Sequence, residues 1–229
     1  VDASFVVLAR EETPRGELVL RRRSSAGSEP VYELIANGCF LMASFNAFSA
    51  RQLSHLCLDV LRAPVGWNVL VGGLGMGFTL QAALEHSEVH RVTVVEIEPL
   101  IVSWAAAYFA PLNGQALADE RVKVVVEDLA EFLVHPVGPF DAILIDIDNG
   151  PTWLMVDENA VVYSATVLER IYALLSEEGV LGVWAAETAP GFLGELRRIF
   201  DWADELLVQE SVEGRMTDYF VYRAGKSPM

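Results

Sequence analysis

From Asn68 onward the chain alternates short, unbroken apolar runs with segments whose apolar residues recur at helical spacing. Val69-Leu70-Val71 opens the series, and Leu80, Ala83 and Leu84 then share one helical face ahead of a second apolar run at 92–95. Pro99 is well placed for the first turn of a helix reaching about residue 109. Further apolar runs at 122–126, 142–145 and 180–184 predict strands, with helical patterning over 129–134, 159–175 and 190–203. Segments 206–210 and 219–223, joined around Glu213-Gly214, read as a terminal hairpin. Apolar runs without polar alternation mean strands buried on both faces of a mostly parallel sheet.

The first sixty or so residues lack this rhythm. Segments 5–8, 18–20 and 31–35 read as short strands, the last two separated by the polar loop Ser24-Ser25-Ala26-Gly27-Ser28-Glu29-Pro30. Residues 48–61 read as a helix with Leu53, Leu56, Cys57 and Val60 on one face, and Ala63-Pro64-Val65-Gly66 then breaks the chain. The expected organisation is a small β-rich lobe with a linking helix over 1–62, followed by a Rossmann-like α/β domain over 63–229. A mostly parallel seven-stranded sheet closed by an antiparallel hairpin resembles the class I methyltransferase fold.

Length, 229 residues, allows one large domain or one domain with a small extension. Hydrophobic residues make up 52%, ample for a buried core. Sixteen Lys and Arg stand against thirty-two Asp and Glu, a formal charge of −16. That field repels phosphate backbones and anionic membranes, so neither nucleic acid nor a membrane is an expected partner. It favours a cationic small molecule, although any acidic soluble surface has the same composition. Cys39 and Cys57 form neither a disulfide framework nor a CxxC, which makes reduced thiols in a cytoplasm the expectation. No signal peptide is expected, and the longest apolar stretch, 100–112, is too short to span a bilayer. His55, His86, His90 and His135 show no metal-ligand spacing and no serine sits in a GxSxG, so neither a metal nor hydrolysis is expected.

The chemistry concentrates at the first strand of the alternating region. It passes into Gly72-Gly73-Leu74-Gly75-Met76-Gly77, and the second strand ends on Glu96, about twenty residues beyond. Gly73, Gly75 and Gly77 let backbone approach a ligand closely, and Glu96 can accept both hydroxyl protons of a ribose. Phe78 stands where a third glycine would complete GxGxxG, so the pattern suits an adenosine without a pyrophosphate, such as S-adenosylmethionine. Asp128 and Asp146 end the next two strands, on the sheet edge where ligands bind in open α/β folds. Asp128 reads as an acceptor for an adenine amino group or as a helix cap. Asp146 is placed to orient an attacking amine and take its proton; an alkyl amine, with a pKa of about 10, must lose one before it can attack. Asp148 and Asn149 follow in Asp146-Ile147-Asp148-Asn149-Gly150-Pro151, where strong turn chemistry also applies.

With these residues the chain resembles the spermidine/spermine synthase family. The similarity runs from about Glu17 to the C-terminus, through 16–20, Glu33-Leu34-Ile35-Ala36-Asn37-Gly38, the glycine loop, Val95-Glu96-Ile97-Glu98, 140–151 and 163–181. The resemblance implies a dimer that moves an aminopropyl group from decarboxylated S-adenosylmethionine to putrescine or a related amine. It matches Glu96 to the ribose ligand, Asp128 to the adenine-side acid and Asp146 to the catalytic aspartate, with Asp148 beside it. The family's GGGDGG loop carries an acid for the amino end of the donor, where this chain has Gly75. The family's Tyr-Gln pair near the polyamine pocket falls on Ala50-Arg51, and its DxxDPxGP is shortened at 146–151. Trp184-Ala185-Ala186-Glu187 stands where a Gln precedes the acidic residue.

Three readings follow. An aminopropyltransferase with an altered acceptor would use Asp146, Asp148 and Glu187 to line its pocket, with Asn149 beside them. A methyltransferase would take intact S-adenosylmethionine and set Trp184 against an aromatic acceptor. A non-catalytic protein would bind the nucleoside alone.

Overall fold

A computed structural model describes residues 4–24, 29–45, 47–62, 65–135, 138–154 and 157–227. Loop residues 25–28 and the Ala63-Pro64 break lie outside that description. The N-terminal lobe is an antiparallel sheet of β1 (Ser4–Thr13), β2 (Gly16–Ser24), β3 (Val31–Ala36) and β4 (Cys39–Ala43), ordered as they occur. β4, absent from the sequence reading, pairs with β3 through a register shift at Leu34/Ile35.

The larger sheet is built from β5 (Trp67–Gly72), β6 (Val89–Glu96), β7 (Val122–Val126), β8 (Phe140–Ile145), β9 (Leu175–Ala185), β10 (Trp202–Val212) and β11 (Arg215–Gly225). Its order is β10-β11-β9-β8-β5-β6-β7, with β9, β8, β5, β6 and β7 parallel and β11 antiparallel to β9. This is the expected seven-stranded sheet with its closing hairpin. The strand order reverses between β5 and β8, which opens a crevice at their C-terminal ends.

Alternate residues of each parallel strand enter different cores. Val69, Val71, Val92, Val94, Ala142 and Leu144 pack with the lobe's Leu18, Leu20 and Leu34. Leu70, Val95, Ile143 and Ile145 pack on the other face, against helices α4 (Leu129–Val134), α5 (Ala165–Leu174) and α6 (Pro190–Ile199). Helix α1 (Ala47–Leu58), which the sequence reading assigns to the lobe, packs on β8, β9, β10 and β11 and on α2 (Phe78–Leu84). The helix that starts at Pro99 is α3 (Pro99–Trp104), and it runs on as a π-helical turn over Ala105–Phe109.

Some boundaries moved for identifiable reasons. α5 begins at 165, because Ser164 caps it by accepting from the Val167 N–H, and Asp157–Tyr163 forms a separate 3-10 helix. α6 stops at Ile199, short of 203, because β10 starts at Trp202 opposite Gly225.

The start of α1 is held from the far end of the chain. Buried Glu210 of β10 accepts from the Phe48 N–H at 3.0 Å and the Ser49 N–H at 3.1 Å, one on each carboxylate oxygen. These amides have no partner within their own helix. Glu210→Ala is therefore expected to cost about 2–3 kcal/mol in urea unfolding, the range for losing hydrogen bonds to a buried charge. An unchanged midpoint would show that the cap does not hold the helix.

Candidate functional site

The glycine loop is pinned from both sides. The Gly73 N–H donates to the Val95 carbonyl of β6 at 2.8 Å, and the Asp146 N–H donates to the Gly72 carbonyl at 2.8 Å. Gly73 has φ +88, and a Cβ there would lie 2.3 Å from the Asp146 carbonyl oxygen, so both backbone and space demand glycine. Gly75 and Gly77 also have positive φ. At Gly75 the space a side chain would fill is taken by the Met42 thioether of β4, with its methyl 2.7 Å from an added Cβ. Asn113, buried and unflagged by any sequence motif, donates from Nδ2 to the Met76 carbonyl at 2.9 Å and braces the loop from below.

Glu96 closes the loop from the end of β6. Its Oε2 accepts from the Leu74 N–H at 2.9 Å and its Oε1 from the Glu98 N–H at 2.8 Å. Burial raises its pKa, partly offset by these backbone donors and by the Gly75 N–H. A carboxylate has about four lone-pair sites, so the three backbone donors leave Glu96 capacity for one more. Glu98, also buried, caps α3 and pairs with Arg15 of the β1–β2 turn at 3.3 Å, which ties the lobe to this edge.

Asp128 caps α4: its Oδ1 accepts from Ala130 N–H at 2.7 Å and Glu131 N–H at 3.3 Å. The cap reading is thus realised at one oxygen, at the strand end adjoining Glu96.

Asp146 follows β8 directly beneath Gly73. Its Oδ2 accepts a short 2.5 Å hydrogen bond from the Thr79 hydroxyl in the first turn of α2. The residue keeps some exposure at the crevice, yet the protein packed around its carboxyl group raises its pKa, against the lowering effect of Thr79. Among the described residues no cation forms an ion pair with it.

The loop beyond is braced residue by residue. Asp148, at φ +54, accepts from Asn159 Nδ2 at 2.7 Å; the Tyr163 hydroxyl donates to the Ile147 carbonyl at 3.0 Å. The Asn149 carbonyl accepts from the Ala186 N–H at 2.9 Å, laying 146–150 against the end of β9. Burial pushes the Tyr163 phenol up, and the neighbouring Asp148 and Asp146 add to that shift. Trp184 packs with its ring centroid 5.3 Å from that of Tyr219 on β11, and among the described residues its buried Nε1 has no hydrogen-bond partner. Glu187 is exposed just beyond β9.

The structure therefore brings Gly73, Glu96 and Asp146 together, continues into Asp148 and Asn149, and sets Asp128 and Trp184 at flanking strand ends. Arg51, which aligns near the family's polyamine pocket, is engaged elsewhere: its guanidinium donates to Gln81 of α2 at 2.7 Å and to Glu85, just past the end of α2, at 2.6 Å. Its charge is already answered by Glu85. Thr79, Asn113, Met42 and Asn159 are site residues that the sequence reading did not name.

A doubly wound sheet with a glycine loop, acids at successive strand ends and a closing antiparallel strand defines a fold of the class I methyltransferase type. Residues 49–189 match the family described as the spermine/spermidine synthase domain, and the chain belongs to that family. It is 28% identical over 175 residues to polyamine aminopropyltransferase 1 of Streptomyces coelicolor, across 76% of this chain and 32% of that protein. Over 188 residues it is 25% identical to the polyamine aminopropyltransferase of Saccharolobus solfataricus, across 81% of this chain and 59% of the relative. The chain thus spans less than two thirds of either relative's length. Spermidine synthase from Thermotoga maritima shares the fold with a TM-score of 0.79, over 96% of this chain and 73% of that one, at 19% identity. A spermidine synthase in complex with the transition-state analogue AdoDATO gives 0.81 over 96% and 74%, also at 19% identity.

Proposed function

We propose that the protein is an aminopropyltransferase that takes decarboxylated S-adenosylmethionine and a small amine as substrates. The observation that carries this reading is Asp146, a partly desolvated carboxylate without a cation partner among the described residues, directly under the nucleoside loop. Glu96 accepts a ribose hydroxyl on the lone pair its backbone donors leave available. Asp128 serves the adenine side with the oxygen that does not cap α4. Gly73, Gly75 and Gly77 give the donor its close approach, and Trp184, Asn149 and Glu187 border the acceptor.

Asp146 first takes a proton from the acceptor ammonium. The freed lone pair forms the C–N bond as the C–S bond breaks, and the sulfonium leaves as a neutral thioether. The relatives' names and the family membership support transfer to a polyamine precursor, and the chain's charge of −16 favours encounter with a cation. The same reading takes the protein to be a cytoplasmic homodimer that needs no metal.

Gly75 favours a second reading, methyl transfer from the intact donor, because no loop acid is present to repel a donor carboxylate. Calorimetric titration with the two donors separates them. Stronger binding of the decarboxylated donor, followed by amine-dependent release of methylthioadenosine, supports aminopropyl transfer; preference for the intact donor overturns it.

A gain-of-selectivity variant gives a sharper readout. Gly75→Asp needs only the flexible end of Met42 to move, and aspartate tolerates φ near +50 better than most residues. It is expected to shift preference toward the decarboxylated donor by about tenfold, the equivalent of one exposed-to-half-buried charge interaction of roughly 1.4 kcal/mol. Equal affinities for both donors would place Gly75 away from the donor tail.

A further inference from the structure

We propose that Thr79 is a positioning residue for Asp146: its hydroxyl holds Oδ2 and turns Oδ1 toward the acceptor amine. This rests on reading Asp146 as the base.

The geometry is specific. Thr79 Oγ1 lies 2.5 Å from Asp146 Oδ2 and 3.2 Å from the Ala50 carbonyl oxygen of α1. The threonine is buried, and its own carbonyl accepts from the Ser54 hydroxyl at 2.7 Å, so α1 and α2 fix the position of the hydroxyl together. A hydroxyl has a single proton, and two acceptors face it. With Asp146 ionised, the shorter contact takes the proton. With a proton on Oδ2 the roles reverse: the carboxyl donates to Oγ1 and the Thr79 hydroxyl turns to Ala50. Neither protonation state leaves a buried hydrogen without an acceptor, which a group that gains and loses a proton each turnover requires.

The surroundings leave this task to Thr79. Asp148 is engaged by Asn159, the Tyr163 hydroxyl by the Ile147 carbonyl, and Glu96 by the glycine-loop amides. The nearest cation on α1, Arg51, points to Gln81 and Glu85. Burial drives Asp146 toward its neutral form, and the Thr79 bond is the opposing effect.

The test is carboxyl-carbon NMR of protein labelled at aspartate, with the Asp146 resonance assigned from Asp146→Asn, in wild type, Thr79→Val and Thr79→Ser. Valine keeps the shape and removes the hydroxyl; serine keeps the hydroxyl. The expected result is an Asp146 titration moved to higher pH in Thr79→Val and returned close to wild type in Thr79→Ser. In turnover, Thr79→Val should lose about 10- to 100-fold in kcat, the worth of one hydrogen bond to a charge, with KM little changed. The acid limb of its pH profile should move in the same direction as the NMR titration. If the valine variant does not fold, Thr79→Ala removes the hydroxyl without bulk and is read in the same way. An Asp146 titration identical in wild type and the hydroxyl-free variant overturns the proposal. A shifted titration in a protein that turns over no amine upholds Thr79's hold on Asp146, and it is then the aminopropyl-transfer reading that fails.

Discussion

Asp146→Asn is expected to lower amine-dependent turnover by about 10²- to 10⁴-fold, the usual contribution of a positioned base, and at the same time to make the protein more heat-stable. The two effects have one cause. Burial raises the Asp146 pKa, so the folded state binds its proton more tightly than the unfolded chain does. Stability from this group is therefore complete below the unfolded value of about 3.9 and is lost as pH rises through the higher folded value. Asparagine carries no charge to desolvate and still offers Thr79 an acceptor. The melting temperatures of variant and wild type should nearly coincide near the bottom of that window and separate above it, with the variant higher. For a chain of this size each kcal/mol corresponds to roughly 2–4 °C. A variant that melts lower than wild type at neutral pH would mean that the ionised carboxylate stabilises the fold, contrary to the desolvation argument.

Glu96→Gln is expected to weaken donor binding by about 100-fold, near the top of the range for hydrogen bonds to a charged group. The cause lies in the donors already around it. Both carboxylate oxygens accept backbone N–H groups, from Leu74 and from Glu98. An amide offers one oxygen and one NH₂, so whichever way it turns, a donor faces a donor. The glycine loop would lose one of its ties to β6, and one ribose hydroxyl would lose its acceptor. Titration with methylthioadenosine measures this without any turnover. Undiminished affinity would remove Glu96 from the nucleoside site.

Much of this site was legible because parallel strands announce themselves as unbroken apolar runs, and a residue closing such a run falls on a known edge of the sheet. Glu96, Asp128 and Asp146 could be placed by that logic alone. β4 was not legible: it is short, mixed in character and recruited by its neighbour β3 across a register shift. The start of β9 was hidden for a related reason, since Ser176-Glu177-Glu178 is polar yet extends the strand back to Leu175. Thr79 could not be found from local pattern, because a lone hydroxyl in a helix beginning Phe78-Thr79-Leu80 looks like any semi-buried helix residue. Its partner lies 67 residues away. Asn113 and Met42 have the same character: they matter through what they touch across the fold. The family's loop acid, by contrast, is visibly missing in the sequence, but only the structure shows Met42 in the space beside Gly75.

The carboxylate of Glu210 has a bearing on how the chain is made. The group that satisfies the first turn of α1 is 162 residues downstream of Phe48, so it is made after the helix it holds. That turn carries Ala50, whose carbonyl stands behind the Thr79 hydroxyl. A nascent chain can therefore have the glycine loop, Glu96 and Asp146 in hand while the wall behind them is still untethered. The hairpin that contributes no acid to the proposed chemistry thus anchors the helix behind Thr79, and it does so only once β10 has been made.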